Sequence, residues 1–572
     1  MAETLISPGV LARENDQSFV TSQPAERGAA IIGPTVLGPV ERPTLISSFS
    51  SYQAIFGGAL QSGSGEYTYL TSIAANQYFQ NGGTSLLVTR VTSGSFIPAT
   101  SSAVTNFDAI NSFELETISE GELMNTGVTE VTNGALETGS ANNVRWEIAA
   151  VNTASGVFSL LIRRGNDTNN NKIVLESYNN ISLDPFASNY ISRAIGDSTS
   201  NAVTAPDGSG TYLQESGSFP NISNYVRVKE VLTPTPYYFN NDGSAKDQYT
   251  GSLPIINSGS FNGALGSNIP VGRTANFYQN INATDTQGLV GSDYTTAIAL
   301  LANQDDYQFN VISVPGLSNQ HQSAQITSVM NNSISRGDSI AVIDLVGYNQ
   351  QINTVTTQAG GIDNSYTATY WPWLQTVDPN SGMLVYIPAS TFIPGVYAFT
   401  DASSDPWFAP AGITRGGMGQ VVRAERKLTS TNRDTLYEAN VNPIATFPQQ
   451  GVVVFGQKTL QKAASALDRV NVRRLLITLK SFISQIADNL VFEQNTIATR
   501  QNFLTQVNPY LESVQQRQGL YAFKVVMDET NNTPDVIDRN ELIGQIFLQP
   551  TRTAEFILLD FNVLPTGATF PA

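Results

Sequence analysis

The chain has 572 residues, of which 41% are apolar and 9% aromatic, enough to bury sizeable cores, and this excludes a fully disordered protein. Charged residues make up only 13%, about half the share of an ordinary soluble protein, and 30 basic against 47 acidic side chains give a formal charge of -17. Such a balance argues against a general binder of nucleic acid or of an anionic membrane, since both need a positive excess. Cysteine is absent, so disulfides, thiolate metal sites and Cys nucleophiles are excluded, and the single histidine, His321, leaves imidazole chemistry one position. Length alone suggests three or four domains of about 150 residues each.

Residues 1–22 read as an extended arm, punctuated by Pro8-Gly9 and carrying Glu3, Glu14 and Asp16 where a signal peptide would be apolar. From 28 to 91 short strands alternate with helices. A buried strand is expected over 29–33, a helix over 50–56 ending at Gly57-Gly58, a helix over 67–79 stopped by Asn81-Gly82-Gly83, and a strand from Leu86 to near Val91. Between 93 and 292 clusters of Gly, Ser, Asn and Thr break the chain about every eight to twelve residues. Strand-like runs lie between the breaks at 144–151, 157–163, 173–176 and 225–232, and two β-rich inserts divided near 196–210 are expected.

Regular α/β texture returns at Asp293. It predicts a helix over 294–301, a strand over 309–314 closed by Pro315-Gly316, a helix over 322–331, and strands over 339–346 and 383–388. The most helical stretch is 468–490, where Val472, Leu475, Leu476, Leu479, Phe482, Ile483, Ile486 and Leu490 recur at three- and four-residue spacing on one apolar face. A second helix over 500–514 and strands over 522–528, 541–548 and 555–563 close the chain. No window approaches 18 uninterrupted apolar residues, so no membrane-inserted segment is expected.

No residue set points to an enzyme, a metal or a cofactor. Gly416-Gly417-Met418-Gly419 lacks the lysine and the spacing of a phosphate loop. Asp167, Asn169 and Asn171 open like a calcium loop, but Lys172 stands where that loop needs glycine and Tyr178 where it needs a bidentate glutamate. Arg336-Gly337-Asp338 spells an integrin-binding tripeptide and reads more simply as a helix-terminating turn.

One charge feature departs from the acidic background. Residues 421–480 hold ten basic and four acidic side chains, a balance of +6, so the other 512 residues carry -23. Arg469, Arg473 and Lys480, spaced by four and seven, form a stripe on one flank of the expected helix, opposite Arg474. A solvated helix face accounts for such a stripe, and so does docking on an acidic partner.

Longer strings carry a family resemblance. The opening Ser7-Pro8-Gly9-Val10 with Glu14, Asp16 and Ser18, then Ile32-Gly33, Gly38-Pro39, Phe56-Gly57-Gly58 and Tyr78-Phe79-x-Asn81-Gly82-Gly83, form a first block. A second runs through Leu436-Tyr437-Glu438-Ala439-Asn440-Val441-Asn442-Pro443, Gly451-Val452-Val453-Val454-Phe455-Gly456, Val470-Asn471-Val472-Arg473-Arg474-Leu475-Leu476, Asp528-Glu529-Thr530-Asn531-Asn532-Thr533-Pro534 and Asp538-Arg539-Asn540-Glu541. Over roughly 1–95 and 290–572 the sequence resembles the contractile tail sheath proteins of bacteriophages of the T-even myovirus type.

The resemblance implies a mixed α/β, multidomain chain with a discontinuous sheath core: an N-terminal arm (1–22), a first core part (23–95), β-rich protruding inserts (96–200 and 201–290), a second core part (291–545) and a C-terminal strand or arm (546–572). It also implies a non-enzymatic virion protein, assembled in the host cytoplasm and free of nucleic acid and cofactors. Its implied partners are its own copies in stacked hexameric rings, a tail tube, and baseplate and terminator proteins. Pro8, Gly9 and Val10 of one arm and Phe556, Ile557 and Leu558 of the other would add strands to a neighbour's sheet. Lys458, Lys462, Arg469, Arg473, Arg474 and Lys480 would face the tube. The sheath of a bacteriocin-like particle or other injection device fits the same resemblance, and an extracellular adhesin or surface-layer protein fits the composition.

Overall fold

The computed structural model describes residues 27–62, 65–102, 104–208, 210–267 and 277–557. Among these, 27–478 with 552–557 form one compact unit and 479–551 a second. The arm residues Pro8, Gly9, Val10 and Leu558 lie outside the described residues.

The larger unit is mixed α/β. Its central sheet runs in the order Thr44–Ile46, Leu86–Arg90, Ala29–Gly33, Val311–Ser318, Ile340–Asp344, Thr367–Trp371, Asn442–Phe447, Gly451–Val454. The six inner strands are parallel, and an antiparallel strand closes each edge. Parallel strands covered on both faces are near-continuous apolar runs, and Ala29–Gly33, Leu86–Arg90 and Ile340–Asp344 are buried throughout. One face packs on Leu70, Ile73, Ile393 and Val396, the other on Ile298, Ile326, Val329 and Val355. Ser48 caps the helix Phe49–Phe56 by accepting from the Ser51 N–H at 3.1 Å, and Gly57, at φ 75°, ends it. The helix Leu70–Gln80 approaches the first strand so closely that a Cβ on Gly33 would stand 2.3 Å from Thr71 Oγ1.

Three expectations shift here. The strand expected to close at Pro315-Gly316 continues to Ser318. Proline breaks the ladder without ending it: the register with Ile340–Asp344 skips between Ser313 and Ser318, and Gly316 absorbs the kink at φ 101°. The helix expected to stop near 331 runs as Ser323–Arg336 to Gly337.

The third concerns the inserts. After Arg90 the chain leaves the central sheet and returns at Val311, beside its first strand. The excursion builds an antiparallel sheet in the order Val174–Ser182, Val157–Arg164, Val144–Asn152, Ser258–Asn262, Ser93–Ser101, Asn111–Glu120, Val226–Val231. The late strand Ser258–Asn262 pairs with Val144–Asn152 on one side and Ser93–Ser101 on the other, so strands from before and after residue 200 share one sheet and one core around Trp146, Phe113, Phe158 and Phe261. The expected divide falls inside a hairpin, Thr199–Thr204 with Thr211–Ser216. Gly- and Ser-rich texture marks turns, and turns separate strands of one sheet as readily as they separate domains.

The helix Val470–Asp488 belongs to the larger unit as far as Thr478 and to the smaller from Leu479 onward. The smaller unit continues with the helix Ile497–Gln516 and the hairpin Leu520–Val526 with Gln545–Pro550. Phe482, Ile486, Phe503, Val507, Leu511 and Val514 are buried, and Phe482 stacks on Tyr510 with ring centroids 3.7 Å apart. The side chain of Asn532 ties the loop between the two strands together, donating to the Ile543 carbonyl and accepting from its N–H, each at 2.8 Å.

Candidate assembly site

The six basic residues fall into three groups. Arg473 and Arg474, on the first turn of the helix Val470–Asp488, are each only 4% exposed. Arg473 Nε donates to the Ser365 carbonyl at 3.1 Å, and its guanidinium lies 3.9 Å from the centre of the Tyr366 ring. Arg474 Nη2 donates to both carboxylate oxygens of Asp401 at 2.7 and 2.5 Å, and its guanidinium lies 4.6 Å from the Tyr397 ring centre. These two arginines face the interior of their unit, so the expected outward stripe does not exist at Arg473. Guanidinium groups stack on tyrosine faces and stay paired, which lets a cationic flank be buried. Lys458 is half-buried, its Nζ donating to the Tyr437 carbonyl at 2.8 Å, and burial pushes its pKa down, with Arg469 adding to the shift. Lys462 and Lys480 are exposed.

Arg469, just before the helix, is the centre of a clamp that sequence reading missed. Its Nε and Nη2 donate to the two oxygens of Glu555 at 2.7 and 3.0 Å. Tyr437 Oη donates to the same carboxylate at 2.6 Å and Gln457 Nε2 at 3.0 Å. Gln457 Nε2 also reaches Thr553 Oγ1 at 2.6 Å. Four donors fill the four acceptor positions of one carboxylate. Burial works to raise the Glu555 pKa, but the bonds from Arg469, Tyr437 and Gln457 outweigh it and hold the carboxyl below its usual range. Burial, and after it the same carboxylate, push the Tyr437 phenol well up. The expected strand over 555–563 has no counterpart in its described part: 555–557 is irregular chain, with Phe556 and Ile557 84% and 76% exposed. Glu555 is tied down by its side chain, and no strand of the chain lies against its backbone among the described residues.

In the smaller unit the hairpin Leu520–Val526 with Gln545–Pro550 is a sheet of two strands only, so among the described residues both outer edges are unpaired. Tyr521 and Phe547 are 64% and 57% exposed on it. Unpaired edges with apolar side chains are templates for an added strand.

The remaining motifs are structural. Arg336 and Asp338 are buried and form a two-bonded pair at 3.0 Å across Gly337, which caps the helix at φ 69°, so the tripeptide is unavailable to a partner. Asp167 is buried under Arg163, which donates to its two oxygens at 2.7 and 2.8 Å and occupies the place of a cation. Among the described residues no group of acidic and histidine side chains is placed to hold a metal ion, and no helix is long and apolar enough to cross a membrane.

Residues 287–460 match the phage tail sheath protein central domain and 462–563 the phage tail sheath C-terminal domain. The tail sheath protein of Vibrio phage KVP40 is 40% identical over 219 residues, covering 38% of this chain and 31% of that protein. That of Enterobacteria phage T4 is 35% identical over 230 residues, covering 40% of this chain and 35% of the relative. The match thus spans about a third of the length of these relatives. The crystal structure of a sheath tail protein from Listeria innocua is 11% identical, with a TM-score of 0.53 over 93% of this chain and 96% of that one, which shows a shared fold. Over 287–460 and 462–563 this chain is therefore similar to the central and C-terminal domains of phage tail sheath proteins.

Proposed function

We propose that this chain is the structural subunit of a contractile phage tail sheath, a virion protein that polymerises as stacked hexameric rings around a tail tube and shortens to drive the tube through the host envelope. The ordered match to both sheath domains, with 40% identity to a sheath over 219 residues, carries this reading. Work in such an array comes from the difference in interface free energy between two packings, so the subunit needs neither nucleotide nor active site. A heterologous contact that does not close on itself builds an open helix. The open-edged hairpin Leu520–Val526 with Gln545–Pro550 supports strand addition by the arms at 8–10 and 556–558 of neighbouring copies. Of the six basic residues, the exposed Lys462 and Lys480 are those we assign to the acidic tube face. Baseplate and terminator proteins bound the array at its ends.

Negative-stain electron microscopy of the purified chain, alone and with its tube protein, tests the reading. Hollow, cross-striated cylinders are expected, and removal of residues 1–20 abolishes their length. Monomers under both conditions, at any concentration, overturn it.

A further inference from the structure

The six residues 552–557 differ from everything before them in how they are held. The last backbone bond before them runs from the Thr551 N–H to the Gly519 carbonyl at 3.2 Å. Beyond it, among the described residues, 552–557 form neither strand nor helix, make no backbone–backbone hydrogen bond, and bury no side chain fully. Among the described residues two side chains, Thr553 and Glu555, make all the hydrogen bonds that these six residues have to the rest of the chain. Their three partners come from scattered places: Tyr437 from the helix Ser430–Glu438, Gln457 from the loop after Gly451–Val454, and Arg469 from the segment that leads into Val470–Asp488. The two loop segments are themselves fixed to each other, since Val470 N donates to the Gln457 carbonyl at 2.8 Å and Lys458 and Arg469 form a β-bridge. Arg469 is further braced by Asp468 at 3.0 Å. The receptor for Glu555 is thus rigid and prebuilt, while the segment it holds is not. Immediately after it stand two apolar side chains, Phe556 and Ile557, almost wholly in solvent.

We propose that Glu555 is a positioning residue for assembly: its carboxylate is the latch that fixes where the C-terminal arm leaves the chain, so that contacts made by the residues after it start from a set point. This rests on the sheath reading above. Among the described residues the segment has neither ladder nor core, and four of its five hydrogen bonds to the rest of the chain end on Glu555, the fifth on Thr553, so this carboxylate decides whether the arm departs from Phe556 or swings from Thr551. The partly buried pair, with side chains 18% and 24% exposed, is bidentate and backed by two neutral donors, which sets it apart from an ordinary exposed ion pair.

The absence of cysteine makes the test direct, because an Ala554→Cys chain carries one thiol for a nitroxide label. In the full chain the label gives a spectrum with an immobilised component. In the same chain with Glu555→Ala, and separately with Arg469→Ala, that component is lost while the melting temperature stays close to the parent's, and Glu555→Gln loses part of it. With tube protein, the Glu555→Ala chain fails to form long cylinders or forms them with altered pitch. An immobile label in Glu555→Ala refutes the latch whatever the assembly does. A freed label with cylinders of unchanged length and pitch refutes the positioning role. If the unsubstituted chain forms no cylinders, the sheath reading fails and the positioning role with it, whereas the label still decides the latch.

Discussion

In the central sheet the strands Leu86–Arg90 and Ile340–Asp344 are buried at all five positions, and in each the first charge comes at the last residue. In the sheet of residues 93–262 charge is threaded through the strands themselves: Arg145 and Glu147 on one, Arg163 on its neighbour, with Asp167 and Lys172 in the loop beyond. Arg163 pairs with Asp167 and Glu147, Arg145 with Glu130 and Asp167, and Lys172 with Glu147. The contrast follows from layering. A parallel sheet covered by helices on both faces has no place for a charge except at its strand ends. An antiparallel sheet with one apolar core face can bury a chain of alternating charges on the other, provided each is paired. Where the two sheets join, both solutions meet: Arg90 ends a central strand and is fully buried, donating to the Glu120 carbonyl at 2.9 Å, while Glu120 pairs with Arg42 and accepts from the Val40 N–H.

The largest effect that would break this contrast is expected from Asp167→Ala. It leaves Arg163 and Arg145 buried without their shared carboxylate, and unfolding in urea should show a loss of about 3–5 kcal/mol. A loss below 1 kcal/mol would mean that the network is solvated and that the two sheets differ less than their burial indicates. The central sheet should lose stability through volume instead. Ile31→Ala, at a fully buried position, is expected to cost about 2–5 kcal/mol, with no dependence on salt.

Asp344 sharpens the comparison through pH. It is the buried carboxyl at the end of a central strand, bonded by Ser390 N at 3.1 Å and by the Ser390 hydroxyl, and burial pushes its pKa from 3.8 up to about 7 against the pull of those two bonds. The folded state therefore holds a proton that the unfolded chain has released. The contribution of Asp344 is complete below pH 3.8 and is lost as pH rises through about 7. Urea midpoints should fall between about pH 4 and about pH 7 in the parent, and Asp344→Asn should flatten that slope. The smallest effect is expected on the outer face of the insert sheet, where Lys229 and Glu114 pair at 3.0 Å with side chains 42% and 25% exposed. Lys229→Ala should change stability by about 0–1 kcal/mol and less at high salt. A larger change would put exposed pairs on the footing of buried ones.

Element type and place were largely legible in the residues. The apolar run at 29–33, the spacing of Val472 to Ile486, and the glycines after Phe56 each report on neighbours within one turn or one strand, and the structure has elements there. The candidate site was legible only in part. The charge excess of 421–480 drew attention to the right segment, but Arg473 and Arg474 are buried because Ser365, Tyr366, Asp401 and Tyr397 come from 73 to 108 residues away. Glu555 gave no signal, since Arg469 and Tyr437 stand 86 and 118 residues before it.

By itself the sequence determined the apolar strands of a mixed α/β core, the long helix, and the strings that tie residues 287–563 to the sheath domains. Periodicity, caps and turn residues act between positions a few residues apart, so they survive without the fold. Tertiary structure alone decided that the insert strands close into one sheet through Ser258–Asn262, that the arginine flank turns inward, and that a carboxylate near the end of the chain meets Arg469. Each is a choice of long-range partner, settled by which pairings leave no buried charge or backbone group unmatched, and that balance exists only once the layers are packed.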